Sequence, residues 1–569
     1  MWFIEDSGRL GAEQAGLTAL ERKVDWLLIE GIRLDAGKLI IDLEITASGR
    51  SFPASLRYPS TFPHSPPSVL PRDPARWSGH QYGNGELCLE WGPDTWLPVV
   101  TGADLVRSAY KLLQSEAPSE EGLITAAPSR HATTMGQDLR YKPFRFLLTL
   151  ALARRLGQEE GGYLAPMSFL LRTVTAAHIT IPMTIADGTP AAWRDPTVSA
   201  DVERSSIKVE GYVAVLPAGA DLPGARVTRA FLSEMRDAGC PFSEDHRPGM
   251  LEFLVVLAAG RVRCFWLRDG DDSIWEFTPV IEGEGGRSDP DRDDIAGKRI
   301  GIVGCGSAGS KIAISLARSG ARDFVLIDDD VLLPENLVRN ELDWDGIASH
   351  KVDALSRRLE AVAPGCRSTV RRYRLGGQEA NGTVDGALSL LGDCDLVIDA
   401  TADARVFNIL SGMVSDKARP LVWLEIFGGG IGGLVARSRP ALDPSPQTAR
   451  ARIDAWCADR DVAAPRPAAR YEIDGTDGPM IADDADVAVI AAHAVRFALD
   501  ILTAPAASAF PVSAYFIGLK PGWLFEQPFH CFPINLGPTE LRESAAVDRA
   551  TLALVAALLK DSDDYTAAA

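Results

Sequence analysis

The chain has 569 residues, of which 46% are hydrophobic and 24% are charged. Such a composition is ordinary for globular domains and can bury a substantial core, which excludes a disordered scaffold. At roughly 150 residues per domain, the length predicts about three or four domains. The 58 basic and 77 acidic residues give a net charge of −19, and no basic run offsets it. We therefore expect neither nucleic acid nor a membrane as a partner, because both attract clustered cations.

The eight cysteines are scattered, and no two have the C-x-x-C spacing of a zinc site. At this dilution a disulfide framework is not expected, which indicates a reducing compartment. The acidic start of the sequence, Met1 to Asp6, lacks the basic and then apolar residues of a signal peptide. The best candidate apolar stretches, Phe144–Ala153 and Leu251–Gly260, are too short to span a bilayer. We therefore expect a cytoplasmic protein.

Two polar stretches rich in turn-forming residues, Gln114–Asp138 and Ile281–Asp294, divide the chain. They predict an N-terminal domain over residues 1–115, a middle domain over 139–280 and a C-terminal domain over 295–569. The whole is expected to be a multidomain α/β protein.

The first 115 residues predict a small α+β domain. Apolar residues at helical spacing run over Ala12–Leu28, and alternating patterns predict strands over Lys38–Thr46 and Ser51–Tyr58. A proline-rich region and a loop follow, and a second helix is predicted at about Gly102–Leu113. This order of helix, strands and helix is typical of small α+β domains.

Cys88 lies in the loop of this domain, within the segment G-H-Q-Y-G-N-G-E-L-C-L-E-W at residues 79–91. A thiol in a turn-rich loop can be accessible, and accessibility is one requirement for a nucleophile. Composition alone favours the other interpretation, in which a lone cysteine is buried and inert.

The motifs around Cys88 resemble those of ubiquitin-conjugating enzymes. The chain carries Y-P-x-x-F-P-x-x-P-P from Tyr58, N-G-x-L-C-L ending just after Cys88, and W-x-P from Trp96, in the order of that family. The resemblance covers about residues 10–115. It implies a ubiquitin-conjugating-like fold in which Cys88 is catalytic and carries a modifier protein as a thioester.

One departure concerns the residues before the cysteine. The family usually has His-Pro-Asn, and its Asn helps to stabilise the oxyanion, whereas this chain has His80, Gln81 and Tyr82. Under this resemblance, either Asn84 or backbone N–H groups replace the missing Asn, or the transfer chemistry is altered.

The middle segment carries no motif with recognisable chemistry, so we expect an α+β linker or docking domain. Its patterns predict one helix and three strands, at Phe144–Leu156, Ser206–Leu216, Leu251–Leu257 and Arg261–Leu267.

The third segment begins with a glycine-rich turn between a strand and a helix. A strand is predicted over Lys298–Val303, and Gly304, Gly306 and Gly309 then fit G-x-G-x-x-G. These glycines let the backbone turn tightly and approach a phosphate at the helix N-terminus. The next predicted strand, Asp323–Ile327, ends in three aspartates at 328–330. This pattern predicts a doubly wound, Rossmann-like sheet with a nucleotide site.

Residues downstream indicate which nucleotide binds. Asn336, Arg339 and Lys351 provide an amide and two cations after the second strand, where a triphosphate can lie. Asp399 and Asp403 follow a further apolar strand and are candidate Mg²⁺ ligands, because this ion prefers oxygen ligands.

These motifs together resemble the adenylation domain of ubiquitin-activating enzymes and of the bacterial ThiF family. The set comprises G-C-G-S-A-G, D-D-D, N-L-V-R-N, H-K-V and D-A-T-A-D, and the resemblance covers about residues 297–502. It implies ATP and Mg²⁺, and adenylation of the C-terminal glycine carboxylate of a small protein.

The same resemblance assigns roles to individual residues. Asp328 would hold the ribose hydroxyls, and Asp330 lies beside it in the expected nucleotide site. Asn336, Arg339 and Lys351 would clamp the phosphates and offset transition-state charge. The family's magnesium Asp usually follows D-x-T directly, where this chain has Ala402, so Asp399 and Asp403 compete for the metal.

Activating enzymes carry a second thiol in a crossover loop, predicted here at about residues 440–478. Cys457 matches that position, and Cys531, in a predicted C-terminal strand, is its rival. A third possibility is direct transfer from the adenylate to Cys88. Cys305, inside the glycine turn, is interpreted as a packing residue. The family also implies a homodimer, for which Arg292 is a candidate cross-subunit arginine.

The sequence therefore predicts a fused activating and conjugating enzyme, similar to fusions found in bacterial operons that include anti-phage systems. Its expected partners are a ubiquitin-like or other glycine-ended protein and a target amine. Three alternatives stay open: a sulfur-carrier adenylating enzyme with a degenerate N-terminal domain, an NAD-dependent oxidoreductase, and a noncatalytic docking protein.

Overall fold

A computed structural model describes residues 1–82, 84–116, 134–186, 192–268, 273–283, 290–464, 482–504 and 507–539, with residues 474–475, 478–479 and 552. The chain divides into two compact units, Met1–Tyr141 and Lys142–Ala569. Across the described ranges, no helix combines the length and the apolar character needed to cross a bilayer.

The first unit is built on an antiparallel meander of four strands. Its helices are α1 (Trp2–Glu5), α2 (Ser7–Lys23), α3 (Gly102–Ser115) and α4 (Met135–Asp138), and its strands are β1 (Leu27–Asp35), β2 (Lys38–Ala47), β3 (Arg50–Arg57) and β4 (Ser68–Pro71). Helices α2 and α3 pack on this sheet, and the alternating apolar residues of β2 and β3 supply much of the core between them.

The second unit begins with a closed β-barrel. Strands β5, β12, β11, β10, β9, β6 and β7 are neighbours in that order, and β5 also pairs with β7. The elements of this region are β5 (Phe144–Leu148), α5 (Leu150–Leu156), β6 (Tyr163–Val174), β7 (Ala177–Ile185), β8 (Trp193–Arg194), α6 (Ala200–Arg204), β9 (Ile207–Val215), α7 (Thr228–Asp237), β10 (Glu252–Ala258), β11 (Arg261–Leu267) and β12 (Trp275–Ile281).

The barrel is filled by side chains rather than hollow. Phe146, Phe169, Phe253 and Phe277 are fully buried in one cluster, while α7 covers the opposite face of β10 and β11 with its own apolar residues. The predicted helix over Phe144–Leu156 is wrong in its first part, because those residues alternate and pair as β5. The helix begins only after Thr149, whose hydroxyl accepts a hydrogen bond from the Leu152 N–H.

The C-terminal sheet has eight strands in the order β15-β14-β13-β16-β17-β18-β21-β22, of which the first five are parallel. Its strands are β13 (Arg299–Val303), β14 (Asp323–Ile327), β15 (Arg367–Arg371), β16 (Leu396–Asp399), β17 (Leu421–Phe427), β18 (Gly432–Ser438), β21 (Ala514–Gly518) and β22 (Cys531–Ile534). A separate two-stranded ribbon consists of β19 (Asp474–Gly475) and β20 (Gly478–Pro479).

Helices cover both faces of this sheet, as in doubly wound folds. On one face lie α8 (Ser307–Arg318), α9 (Lys351–Val362) and α13 (Asp484–Thr503), and on the other lie α10 (Asn381–Gly392), α11 (Ala404–Asp416) and α12 (Pro446–Ala458). The inner parallel strands β13, β14, β16 and β17 are mostly buried, as parallel strands between two helical layers must be. The predicted Rossmann-like sheet is confirmed.

Helix α12 lies inside the segment that was predicted to be a crossover loop. Its start has two local signals, since the Ser445 hydroxyl accepts from the Thr448 N–H and Pro446 occupies the first turn. The predicted loop is therefore wrong for residues 446–458, and residues 465–473 of it lie outside the described part of the chain.

Candidate functional site

The glycine turn lies at the carboxyl end of β13, where the chain enters α8. Gly304 has a φ of +88°, and a Cβ there would lie 2.9 Å from Cγ2 of Thr401. A Cβ on Gly309 would lie 1.8 Å from the carbonyl oxygen of Gly304. Gly306 precedes the helix and has no atom within 4 Å of such a Cβ. Two glycines are thus required for close packing, and the third leaves open space at a helix N-terminus, which is the kind of place that can hold a phosphate.

Asp328 lies beside this turn, at the end of the neighbouring strand β14. Its carboxylate oxygens accept hydrogen bonds from the N–H groups of Cys305, at 2.6 Å, and Asp330, at 2.8 Å. Burial raises the pKa of Asp328 above its ordinary value, against the opposing effect of these two N–H donors. A carboxylate has about four acceptor positions, so two backbone bonds leave capacity for the hydroxyls of a ribose.

The predicted phosphate-binding residues come from the segment that follows β14. The Ser307 hydroxyl donates to the Arg339 carbonyl oxygen at 2.7 Å, which fixes this segment against the first turn of α8. The Lys351 ammonium forms an ion pair with Asp330 and is mostly buried. The side-chain oxygen of Asn336 accepts from the Leu333 N–H at 3.0 Å, so this amide shapes its own turn.

The two candidate metal ligands have different surroundings. Asp399 is 3% exposed at the end of β16, and its Oδ1 accepts from the backbone N–H and the hydroxyl of Thr401, at 3.0 and 2.6 Å. Asp403 caps α11 and forms ion pairs with Arg405, at 2.9 Å, and Arg374, at 3.7 Å. Burial raises the pKa of Asp399 to about 6, whereas the bond with Arg405 lowers the pKa of Asp403.

These surroundings favour Asp399 as the residue that would hold Mg²⁺. A cation would offset the desolvation of its carboxylate, while two guanidinium groups already neutralise Asp403 and would repel a metal. No group of three or more His, Cys, Asp or Glu suited to a metal ion occurs in the ranges that the structure covers. Magnesium needs fewer, because it is commonly held by one or two carboxylates, substrate phosphates and water.

Sequence reasoning did not single out two further charged residues of this region. Glu425 lies near the end of β17, and its Oε1 accepts from the Arg450 guanidinium of α12 at 2.9 Å. Burial raises the pKa of Glu425 to about 7, with the Asp399 charge adding to the rise. Nothing local predicts this pair, because Glu425 belongs to an otherwise apolar strand and Arg450 comes from a helix that was not expected.

In the first unit, Cys88 lies on one arm of a tight turn and is partly exposed. Gln81 pairs with Leu87 across the turn, and the Cys88 N–H donates to the His80 carbonyl oxygen at 2.8 Å. The Tyr82 hydroxyl donates to the Cys88 sulfur at 3.5 Å. The predicted accessible thiol is therefore present.

Asn84, the predicted substitute for the missing family Asn, is exposed in the same turn. Its side-chain oxygen accepts from the Glu86 N–H at 3.1 Å, so the amide stabilises the turn. Burial raises the pKa of Glu86. The residue bonded to the sulfur is instead Tyr82, which the antiparallel pairing of Gln81 with Leu87 places on the same face as Cys88.

Cys457 differs from its expected setting. It is 0% exposed in α12, on a face shared with Ala449 and Ile453 that packs into the sheet. Burial raises the pKa of its thiol to about 11. In this conformation the sulfur is neutral at physiological pH and inaccessible to a reagent. The prediction that Cys457 lies in a loop is wrong, because it lies in α12. A catalytic role for Cys457 stays a prediction.

Cys531 is exposed at the start of the edge strand β22. The register across the last strands fixes its position in the sheet. Cys531 pairs with Ile517 of β21, and Ile517 pairs with Gly433 of β18. Gly433 pairs with Ile426, near the carboxyl end of β17. Cys531 is therefore at the same edge of the sheet as the glycine turn, three strand spacings or about 14 Å from β17. His530 directly precedes β22, and its ring contacts that of Phe532, with ring centroids 4.4 Å apart.

Two minor predictions concern Cys305 and Arg292. Cys305 is fully buried, and burial raises the pKa of its thiol well above the ordinary value, so its interpretation as a packing residue agrees with the fold. Arg292 lies in a short 3₁₀ helix over Pro290–Gly297, but its side chain is outside the described residues.

The fold and the glycine turn define the C-terminal region as a Rossmann-type nucleotide-binding domain. Residues 283–509 match the model of the ThiF family, so this region of the chain is a ThiF-family domain.

Curated relatives match over shorter segments. The uncharacterized protein y4qC of Sinorhizobium fredii is 33% identical over 158 residues, which are 26% of this chain and 27% of that protein. The ATP-dependent ubiquitin transferase-like protein Cap2 of Pseudomonas aeruginosa is 33% identical over 144 residues, or 24% of each chain. The chain thus matches about a quarter of the length of these relatives. Among solved structures, a crystal structure of Escherichia coli MccB with AMPCPP and MccA matches with a TM-score of 0.33 and 16% sequence identity. The match covers 44% of this chain and 67% of the MccB chain.

Proposed function

We propose that this protein uses ATP to adenylate the C-terminal carboxylate of a glycine-ended protein and then transfers the acyl group to Cys88. The observation that carries the proposal is the ThiF-family domain with its glycine turn, Asp328 and Asp399 assembled at one edge of the sheet. The similarity to Cap2, named as an ATP-dependent ubiquitin transferase-like protein, supports the same class of substrate.

The first step joins the carboxylate to the nucleotide. A carboxylate oxygen of the protein tail attacks the α-phosphorus of ATP, and the bond to pyrophosphate breaks. The open space beside Gly306 and the N–H groups of α8 suit the phosphates, and Asp328 suits the ribose. Asp399 would hold Mg²⁺, which supplies charge neutralisation to the phosphates. Lys351 and Arg339 add positive charge that offsets the charge of the transition state.

In the later steps the acyl group is transferred from the adenylate to a cysteine sulfur. A thiolate attacks the acyl carbon of the adenylate and AMP leaves, which gives a thioester. Exposure favours Cys531 over Cys457 for an intermediate thiol, because Cys531 is exposed in the described fold and Cys457 is buried. Direct attack by Cys88 is the other route. From Cys88, the acyl group goes to a target amine, and a lysine is the natural acceptor.

The nucleotide step is tested by exchange of labelled pyrophosphate into ATP, with a panel of glycine-ended ubiquitin-like proteins and Mg²⁺. We expect exchange that requires a carrier and falls about a hundredfold in Asp399→Asn, with a smaller loss in the matched Asp403→Asn. If no carrier supports exchange, and calorimetry shows that the protein binds NAD in place of ATP, the proposal is contradicted.

The conjugating step is tested separately on non-reducing gels. The wild-type chain with ATP and a carrier should give a thiol-sensitive adduct on Cys88 and then an amine-linked product. Cys88→Ala should retain pyrophosphate exchange and lose the amine-linked product. Unchanged conjugation in Cys88→Ala would instead support a sulfur-carrier adenylating enzyme with an inactive N-terminal region.

A further inference from the structure

Among the described residues of the turn that carries Cys88, Tyr82 forms a side-chain hydrogen bond to the sulfur. Gln81 lies opposite Leu87, and the Tyr82 N–H donates to the Glu86 carbonyl oxygen at 2.8 Å. In this register His80, Tyr82 and Cys88 lie on the same face, with Tyr82 diagonal to the cysteine. The Tyr82 hydroxyl reaches the sulfur at 3.5 Å, while its side chain is 55% exposed. The pair is therefore open to a substrate from solvent.

The surroundings of Tyr82 keep its hydroxyl protonated. The bond with Cys88 is the main cause that raises the pKa of Tyr82, to about 12, and burial and the nearby acids Glu86 and Asp94 act in the same direction. A hydroxyl that stays neutral across physiological pH is a hydrogen-bond donor throughout. The other polar candidate, Asn84, is engaged with the Glu86 backbone.

We propose that Tyr82 is a catalytic residue for acyl transfer at Cys88, and that its hydroxyl donates a hydrogen bond to the sulfur as the sulfur leaves. This inference rests on the proposed function of Cys88 as a thioester carrier. It assigns to this chain a group that acts on the leaving sulfur.

The step balances without a further reactant. The amine nitrogen attacks the thioester carbonyl carbon, a C–N bond forms, and the nitrogen gives up a proton to water. The C–S bond then breaks, and its electron pair stays on the Cys88 sulfur as a thiolate. A hydrogen bond from Tyr82 is stronger to this charged sulfur than to the neutral thioester, so it lowers the barrier to departure.

The inference is tested in the full-length chain without the natural carrier. The 2-mercaptoethanesulfonate thioester of acetyl-glycyl-glycine loads Cys88 by thiol exchange in a Cys531→Ser background, and peptide mapping locates the acyl group. Hydroxylamine is then added and the discharge rate is followed by intact mass. A hydrogen bond to a charged group corresponds to about a tenfold to hundredfold change in rate. We expect Tyr82→Phe to reach full loading and to discharge slower by that factor.

Two further variants control this measurement. Tyr110→Phe removes a hydroxyl from the same unit, on a ring that stacks on Trp26, and should discharge at the wild-type rate. Thermal unfolding should show the same midpoint for both tyrosine variants. The inference is overturned if Tyr82→Phe discharges at the wild-type rate, or if the discharge rate falls in Asn84→Ala instead. Either result leaves the proposed function intact. Failure of the wild-type Cys88 to form any adduct overturns the proposed transfer to Cys88, and the inference with it.

Discussion

Cys88 and Cys457 were both predicted to be loop nucleophiles, yet their surroundings are opposite. Cys88 is partly exposed on a short turn with a hydroxyl donor at 3.5 Å. Cys457 is fully buried on a helix, and its thiol has a pKa of about 11. A polar, proline-containing sequence surrounds each of them. Proline and polar residues thus indicate a surface segment, but they do not determine whether a particular sulfur in it faces solvent.

The difference comes from what each segment packs against. The turn around Cys88 contributes Leu87 and Leu89 to the core, and alternation leaves Cys88 between them on the outer side. Helix α12 instead has to cover the apolar face of the sheet, and its spacing of four residues aligns Ala449, Ile453 and Cys457 toward that face. A thiol on that face serves as a small apolar side chain.

The largest expected effect is on alkylation of the two thiols. At pH 8, a thiol with a pKa near 11 is ionised in about one molecule in a thousand, and burial slows its reaction further. We expect iodoacetamide to label Cys88 at least a hundredfold faster than Cys457, as measured by peptide mass spectrometry over time. Denaturation in guanidinium should remove the difference. Equal rates in the folded protein would mean that α12 opens readily and would restore Cys457 as a candidate.

The pH dependence of the labelling rate provides a second test of the buried position of Cys457. Since burial raises the pKa of Cys457, its labelling rate should keep climbing as the pH rises toward 11. The expected result is a rate that still increases steeply between pH 9 and pH 10.5, measured on protein that circular dichroism shows to be folded. A plateau below pH 9 would contradict the buried position.

A smaller effect is expected on stability. Cys457→Ser places a hydroxyl in an apolar cluster and should lower the free energy of unfolding by about 1–3 kcal/mol. The matched change Cys88→Ser, on a partly exposed turn, should alter it by less than about 0.5 kcal/mol. Denaturant titrations of both variants, followed by the fluorescence of the tryptophans, measure the two values. Similar losses in the two variants would remove the structural distinction between the sites.

Much of the C-terminal fold follows from local patterns. The strand Asp323–Ile327 has the predicted bounds, and the glycine turn lies between a strand and a helix as expected. In the first unit, the strand over residues 27–35 was missed, because its side chains alternate poorly and most are exposed on an edge strand. Ser445 and Pro446 are typical of a helix start and could have predicted α12. The segment was instead predicted as a crossover loop from its resemblance to activating enzymes.

The sequence by itself determined the order of strands and helices around the glycine turn, because tight turns and apolar runs depend on residues close together in the chain. Tertiary structure decided the rest: the closure of the middle strands into a barrel, the burial of Cys457, the contrast between Asp399 and Asp403, and the contact of Tyr82 with Cys88. Each of these depends on which distant residues become neighbours, and burial, ion pairing and pKa are properties of those neighbours rather than of the residue.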